Sequence, residues 1–586
     1  MQHSLDPHLR DAARRWIADD PDPDSRAELQ GVLESAVAGS PESLVDLDDR
    51  MSTSLTFGTA GLRGPVRAGP NGMNRAVVIR TTAGLAAWLS ERGSSGGVVV
   101  VGRDARHGSQ QFAEDTAAVL AAAGFEVRML AEPLPTPILA HATRSLGAVA
   151  GVQITASHNP PGDNGYKVYL HGGTQLVDPA DTEIETAIAG AEAATSIPRE
   201  HSWAWQDTAL NDYLARVACL PRGASRNLRI AATALHGVGA QPLRYALHLV
   251  GFTEVYLVDS QAEPDADFPT VGFPNPEEPG ATDALLDLAA EIDADIAVAL
   301  DPDADRCALG IPAGEGTWRM LRGDETGVLL GEYVLSTLDR KAHPDPLVAT
   351  TIVSATMLRE IASEHHARYD ETLTGFKWLV RSGGGSGRGL VYAYEEALGH
   401  CVDPDHVRDK DGISAAVLAC DLAATDKTSG RSLQDRLDAL AIKHGVHETG
   451  QVSIRVTDPG RIGEAMRRLR TDPPQEFVGV PVQLHDRLPD SDILVFHGQA
   501  SPGSAPGAAT GHNNLRVVVR PSGTEPKIKC YLQVVESVPA PGGRSELDAA
   551  VQRARTFMSE LDSSVRALVD NRENPAEDSN DTAHGH

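Results

Sequence analysis

Short apolar runs of strand character alternate with helical stretches through the first three quarters of the chain, at Gly97 to Gly102, Ala148 to Ile154, Leu228 to Thr233, Ile296 to Leu300 and Leu347 to Ile352. Such alternation predicts α/β layers, with helices packed on the faces of sheets. Several of these runs break directly into polar loops, and in open α/β sheets ligands gather just beyond the carboxyl ends of the strands. The last part reads differently. Leu515 to Val519 and Ile528 to Val535 form two strand-like runs around a polar loop, and a helical pattern follows from Ser545 to Leu568, which predicts a small α+β domain.

At 586 residues the chain is too long for one hydrophobic core, and roughly 100 to 200 residues per domain calls for about four. Pro/Gly-rich or polar junctions near Thr195 to Asp207, Ala313 to Gly323 and Ile442 to Gln451 place these units at 1–205, 206–322, 323–441 and 442–570. Gly498 to Asn514, rich in Gly, Ala, Ser and Pro, reads as a flexible surface insertion, and the polar tail 571–586 as disordered.

A net charge of −29 disfavours nucleic acid and anionic membrane surfaces, so an anionic substrate needs a local cationic pocket. No stretch of about 20 residues is both uncharged and apolar, which argues against a membrane span. The start, Met1-Gln2-His3-Ser4-Leu5-Asp6, has no basic and apolar signal pattern, so a cytoplasmic location is expected. Five scattered cysteines without a Cys-x-x-Cys spacing predict neither a disulfide framework nor a zinc site.

The run Gly147 to Ile154 delivers Thr155-Ala156-Ser157-His158-Asn159-Pro160 to a sharp turn. A Ser-His pair in a loop also suits a plain turn or a helix cap. Here Lys167 follows closely in Asn164-Gly165-Tyr166-Lys167, and a serine beside His158 and Lys167 can accept or donate a phosphoryl group with proton transfer nearby. A Ser-His-Asp hydrolase would prefer a Gly-x-Ser-x-Gly elbow, which Ser157 lacks. Asp301, Asp303 and Asp305 alternate in a short loop after an apolar strand, so their carboxylates can converge on one hard cation, Mg²⁺ rather than zinc. An ordinary acidic turn is the alternative; an EF-hand is not, since Arg306 stands where its glycine belongs. That arginine would help neutralise a transferring phosphoryl group.

Two further loops and a lysine complete the set. Arg520 to Lys527 places Ser522, Gly523 and Thr524 between two cations, which suits a phosphate that is not reacting, although a simple β-turn fits too. It lacks the Walker A spacing, so ATP is not implied. Glu395 and Glu396, in Tyr394-Glu395-Glu396-Ala397-Leu398-Gly399, are either a solvated pair or holders of vicinal sugar hydroxyls. Gly375-Phe376-Lys377-Trp378 sets Lys377 among aromatics, as packing or as an ammonium at a sugar-phosphate pocket.

These loops, in this order, resemble the α-D-phosphohexomutase superfamily, and the Gly-Phe-Lys-Trp and Glu-Glu-Ala-Leu-Gly forms resemble its long phosphoglucomutase/phosphomannomutase branch, which also contains phosphopentomutases and sugar-bisphosphate synthases. The resemblance implies three α/β domains with mixed sheets and a smaller C-terminal α+β domain around a central cleft. It implies that Ser157 is a phosphoserine whose oxygen joins Asp301, Asp303 and Asp305 around Mg²⁺, with Arg306 alongside and His158 and Lys167 assisting proton transfer. Arg63, in Gly58-Thr59-Ala60-Gly61-Leu62-Arg63-Gly64, resembles the arginine near the reacting phosphate. Glu395 and Glu396 resemble the sugar-hydroxyl loop, Lys377 a substrate-binding cation, and Arg520, Ser522, Gly523, Thr524 and Lys527 the distal phosphate clamp.

The implied reaction interconverts hexose 1-phosphate and hexose 6-phosphate, of glucose or mannose, through a hexose 1,6-bisphosphate that also serves as activator. Sugar phosphates are then the partners, and a monomer or homodimer is expected. A phosphopentomutase or a hexose-1,6-bisphosphate synthase would use the same residues. A non-catalytic sugar-phosphate sensor would not need both the serine and three metal carboxylates.

Overall fold

The computed structural model describes residues 5–58, 60–314, 316–455, 460–499, 514–522 and 527–569. It divides into two compact units: Met1–Thr351 with Ala362–Leu433, and Ile352–Ile361 with Gln434–His586.

The first unit opens with three helices, Pro7–Asp19, Pro23–Val37 and Pro41–Met51. Each begins with the same device: Asp6, Asp22 or Ser40 caps free backbone N–H groups, and a proline follows where no N–H is needed. Ala13, Leu29, Leu33, Ala36 and Leu47 form their core together with Ala68.

Three sheets follow. The first contains β1 (Leu62–Pro65), β2 (Val98–Arg103), β3 (Glu126–Met129), β4 (Ala150–Ile154), β5 (Asp163–Leu170), β6 (Thr174–Gln175) and β7 (Ala204–Trp205). Its order is β1-β5-β4-β2-β3-β7, parallel from β4 through β7 and antiparallel across β4, β5 and β1. The second holds β8 (Arg229–Thr233), β9 (Glu254–Leu257), β10 (Ile296–Leu300), β11 (Cys307–Gly314) and β12 (Thr317–Met320), with β10, β8 and β9 parallel. The third holds β13 (Leu347–Thr351), β14 (Arg368–Thr372), β15 (Leu390–Glu395) and β16 (Gly399–Cys401), with only β16 antiparallel. The apolar runs of the sequence are these strands. β4, β10 and β13 are buried at every residue, as continuous apolar strands covered on both faces should be.

The second unit carries the antiparallel sheet β17 (Val446–Arg455), β18 (Glu476–Phe477), β19 (Val480–Asp486), β20 (Leu494–Gln499), β21 (Asn514–Pro521) and β22 (Lys527–Glu536), in the order β17-β22-β21-β20-β19-β18. Helices Gly460–Thr471 and Arg544–Val569 pack on one face, over Val452, Leu494, Phe496, Val517 and Leu532. This is the α+β domain expected from the sequence. Residues 500–513 of the glycine-rich insertion and the tail 571–586 lie outside the described residues.

Candidate active site

β4 ends at Ile154, and the chain turns at Ser157, whose φ of 54° lies in the left-handed region that is uncommon for a residue with a β-carbon. The Ser157 N–H donates to Thr155 Oγ1 at 2.9 Å. Ser157 Oγ donates to Asp301 Oδ2 at 2.9 Å and lies 3.3 Å from His158 Nδ1. The turn after β4 of the first sheet thus meets the turn after β10 of the second.

That second turn is tight. Ala304 adopts a φ of 56°, and its N–H returns to the Asp301 carbonyl at 2.9 Å. Asp301, Asp303 and Asp305 are buried, and one oxygen from each lies within 4.8 Å of the others. Asp303 Oδ2 accepts from Lys167 Nζ at 2.6 Å and from Thr136 Oγ1 at 2.5 Å, while Asp305 Oδ2 accepts from Lys167 at 3.0 Å. Arg306 N–H donates to Asp301 Oδ1 at 3.0 Å. Asp303 Oδ1 and Asp305 Oδ1 remain buried without a hydrogen-bond partner among the described residues. Leaving a buried carboxylate oxygen unsatisfied is costly, and a cation among three carboxylates would satisfy both. The all-oxygen donor set fits a hard divalent ion such as Mg²⁺.

Electrostatics agree. Burial, reinforced by the charges of Asp303 and Asp305, pushes the Asp301 carboxyl well above its usual range. Burial would raise Asp303 as well, but the Lys167 ammonium outweighs it and leaves that carboxyl below its ordinary value. His158 moves the other way: burial, then Arg306 and Arg63, hold its imidazole well below its ordinary value and so neutral.

Lys167 sits in the interior of β5, opposite Gln153 of β4. Arg63 sits on β1, opposite Gly165 of β5; burial lowers its guanidinium, the carboxylates of Asp303 and Asp305 oppose that, and its Nε has no hydrogen-bond partner among the described residues. Arg306 Nε stands 4.0 Å from both Asp301 and Asp305. Two residues that the sequence reading passed over join them: Thr136, at the start of the helix Thr136–Ser145, and Lys410, whose Nζ lies 3.4 Å from Asp305 Oδ2. The signal for Lys410 was Asp409-Lys410-Asp411-Gly412, a charged approach to a helix that Asp411 caps.

Gly412, first in that helix, donates its N–H to the Ala304 carbonyl at 3.1 Å, and a β-carbon there would come within 2.4 Å of the Arg306 carbonyl oxygen. Gly412→Ala must therefore displace the carboxylate loop. The expected result is a Mg²⁺ affinity weakened about tenfold or more, since a loop shift spoils ligand geometry; unchanged affinity by calorimetry would show that the loop yields freely.

Of the other predicted residues, Glu395 lies next to this centre. Glu395 ends β15; burial raises its carboxyl, against the fields of Lys410 and Arg306. An isolated bridge pairs Arg306 with Gly399, and Cys307 N–H donates to the Leu398 carbonyl at 3.0 Å, so the 395–399 loop adjoins the carboxylate loop. Glu396 Oε2 accepts from Thr351 Oγ1 at 3.1 Å. Lys377 belongs to the short helix Phe376–Leu379, with Nζ 5.5 Å from the Trp378 ring, and the adjacent Phe376 ring lies 5.6 Å from Lys410 Nζ. Arg520, Ser522 and Lys527 belong to the second unit, where Arg520 pairs with Lys529 and the Ser522 N–H donates to the Lys527 carbonyl at 2.8 Å. Gly523 and Thr524 lie outside the described residues.

Three family models, the phosphoglucomutase/phosphomannomutase α/β/α domains I, II and III, match residues 54–195, 211–314 and 322–443 in sequence. A protein of Haemophilus influenzae named probable phosphomannomutase is 41% identical over 493 residues, covering 82% of this chain and 97% of its own. Phosphopentomutase of Mus musculus is 31% identical over 587 residues, covering 92% of each. The crystal structure of a phosphoglucomutase/phosphomannomutase family protein from Burkholderia thailandensis matches with a TM-score of 0.63 over 88% of this chain and 98% of that one; at 18% identity this is a likeness of fold. The chain belongs to the phosphoglucomutase/phosphomannomutase family of the α-D-phosphohexomutase superfamily, as an isomerase of that class. No helix among the described residues is long and apolar enough to cross a membrane.

Proposed function

We propose that this enzyme interconverts the 1-phosphate and 6-phosphate of glucose or mannose through phospho-Ser157 and a hexose 1,6-bisphosphate. The observation that carries the reading is Ser157 Oγ, 2.9 Å from a carboxylate of the buried trio and 3.3 Å from a ring nitrogen of His158.

In the first half-reaction the free sugar hydroxyl attacks the phosphorus of phospho-Ser157, forming a new P–O bond as the bond to Ser157 Oγ breaks. The hydroxyl gives up a proton and the serine oxygen recovers one; His158, beside that oxygen, is placed to carry it. In the second half the bisphosphate presents its other phosphate and the steps reverse. A divalent cation held by Asp301, Asp303 and Asp305 would supply positive charge against the transferring oxygens. Lys167 and Lys410 hold Asp305, and Lys167 also holds Asp303, while Arg63 and Arg306 add cationic charge where phosphate is to sit. Glu395 and Glu396 take the role of sugar-hydroxyl acceptors and Lys377 that of a substrate cation. Added hexose 1,6-bisphosphate would prime Ser157 and so act as activator.

The hexose preference rests on the 41% identity to a protein named probable phosphomannomutase, and a pentose phosphate is the second reading, favoured by the 31% identity to a phosphopentomutase. A coupled assay with Mg²⁺ and glucose 1-phosphate, mannose 1-phosphate or ribose 1-phosphate, each with and without hexose 1,6-bisphosphate, separates them. Ribose 1-phosphate turned over faster than both hexose phosphates would overturn the hexose reading.

Arg520, Ser522, Thr524 and Lys527 are read as the clamp for the phosphate that is not reacting. Arg520→Ala should raise the KM for sugar monophosphate by about tenfold to a hundredfold, the worth of a hydrogen bond to a charged group. Because the clamp would hold the bisphosphate in both orientations, turnover should also depend more on added bisphosphate. Steady-state kinetics showing neither change would remove the loop from the binding site.

A further inference from the structure

The geometry points to Arg106 as the residue that positions the Ser157 turn for phosphoryl transfer, an inference that rests on Ser157 being the phosphate carrier. Arg106 Nη2 donates to the carbonyls of Ser157 at 2.7 Å and Asn159 at 2.6 Å, and Nη1 donates to those of Pro160 at 2.8 Å and Asp163 at 3.1 Å. One guanidinium therefore gathers four carbonyls of the segment that carries the nucleophile. The segment has few bonds of its own: between Ala156 and Asp163, besides the Ser157–His158 contact, these are Asn159 N–H to the Ala156 carbonyl and Asp163 N–H to the Pro160 carbonyl, both at 3.1 Å, and Asn159 Nδ2 to Asp163 Oδ2 at 3.0 Å. Yet Ser157 occupies a left-handed conformation, which persists only where the surroundings enforce it.

Arg106 is itself fixed. Its side chain is almost wholly enclosed, with Nε 3.4 Å from Asp104 Oδ2 and the guanidinium carbon 4.9 Å from the centre of the Phe268 ring. Asp104 Oδ1 accepts from the Arg106 N–H at 3.0 Å and from Ser109 Oγ at 2.6 Å. Asn164 Nδ2 donates to Ser109 Oγ at 2.9 Å, which returns the network to β5, the strand that bears Lys167. The device thus ties the nucleophile's turn to the strand whose lysine grips Asp303 and Asp305. Arg106 reaches only backbone oxygens of the turn, so it acts through placement.

A lysine in its place keeps the charge but is a point donor, unable to fork onto four carbonyls in a plane. Arg106→Lys should lower kcat by about a hundredfold, the scale of a 1 Å misplacement of a reacting group, with the KM for sugar monophosphate within about threefold of wild type. Guanidinium at low millimolar concentration should restore part of kcat in Arg106→Ala and none in Ser157→Ala. Hydrogen exchange should quicken in the 155–163 peptide of either Arg106 variant. If Arg106→Lys folds poorly, Asp104→Asn, which removes the carboxylate that aims the guanidinium, should give the same kcat-weighted loss and the same local exchange. Wild-type kcat in these variants, a loss carried by KM, or unchanged protection of 155–163 overturns the inference. An active Ser157→Ala would instead overturn the phosphoserine reading beneath it.

Discussion

Ser157→Ala is expected to lose at least about four orders of magnitude in kcat, even with saturating hexose 1,6-bisphosphate, because removal of a covalent nucleophile leaves only binding and charge stabilisation. Wild-type protein incubated with the bisphosphate should gain the mass of one phosphoryl group, and the variant should gain none. Thr136 supplies an internal comparison, since its hydroxyl also touches the trio, at 2.5 Å from Asp303 Oδ2. Among the two hydroxyls, only Ser157 has an imidazole beside it, so Thr136 should not carry phosphate in its absence. Folding can be separated from chemistry through the backbone. Ser157 pays for a φ of 54°, a region that glycine enters freely, so Ser157→Gly should be at least as stable as Ser157→Ala while equally inactive. Turnover near wild type in either variant, with bisphosphate present, would remove the covalent route.

What the sequence revealed and what it hid follow from the range of the interactions involved. Fully buried strands leave continuous apolar runs, and strand ends leave abrupt polar loops, so β4 with Ser157 and β10 with Asp301, Asp303 and Asp305 were legible locally. The convergence of these loops was not: Ser157 and Asp301 are 144 residues apart, and only the resemblance to a known family suggested that they meet. Arg106 and Thr136 left no local mark of their role, because their partners are backbone carbonyls 51 to 57 residues away and a carboxylate 167 residues away. Lys410 did leave the charged run Asp409-Lys410-Asp411, but its approach to Asp305 depends on where the 395–399 loop and the helix after Asp411 pack. The three N-terminal helices are a different kind of miss. Asp6-Pro7, Asp22-Pro23 and Ser40-Pro41 announce three helix starts, a signal that a search for apolar strand runs passes over.

Exhaustive chelation should abolish turnover, and Mg²⁺ should restore it. The reason lies in the buried oxygens. Asp303 spends Oδ2 on Lys167 and Thr136, and Asp305 spends Oδ2 on Lys167 and Lys410, while Oδ1 of each has no hydrogen-bond partner among the described residues. Lys167 and Lys410 thus still leave two carboxylate oxygens of the trio unmet, and burial, reinforced by the charges of Asp303 and Asp305, holds the Asp301 carboxyl well above its usual range. A cation that enters relieves this in the folded state alone, so Mg²⁺ should stabilise the protein by mass action, by about 2.7 kcal/mol at a hundredfold excess over its Kd. Asp301→Asn keeps the shape of the side chain but removes one of the three charges. It should lose both the rise in Tm on adding Mg²⁺ and nearly all turnover, while its Tm in EDTA should match or exceed that of wild type, because one repelling charge has gone. The last result separates cation binding from simple packing: a variant that had merely damaged the fold would melt lower with and without the metal. Full activity after chelation, or a Tm response to Mg²⁺ that survives in Asp301→Asn, would place the cation elsewhere.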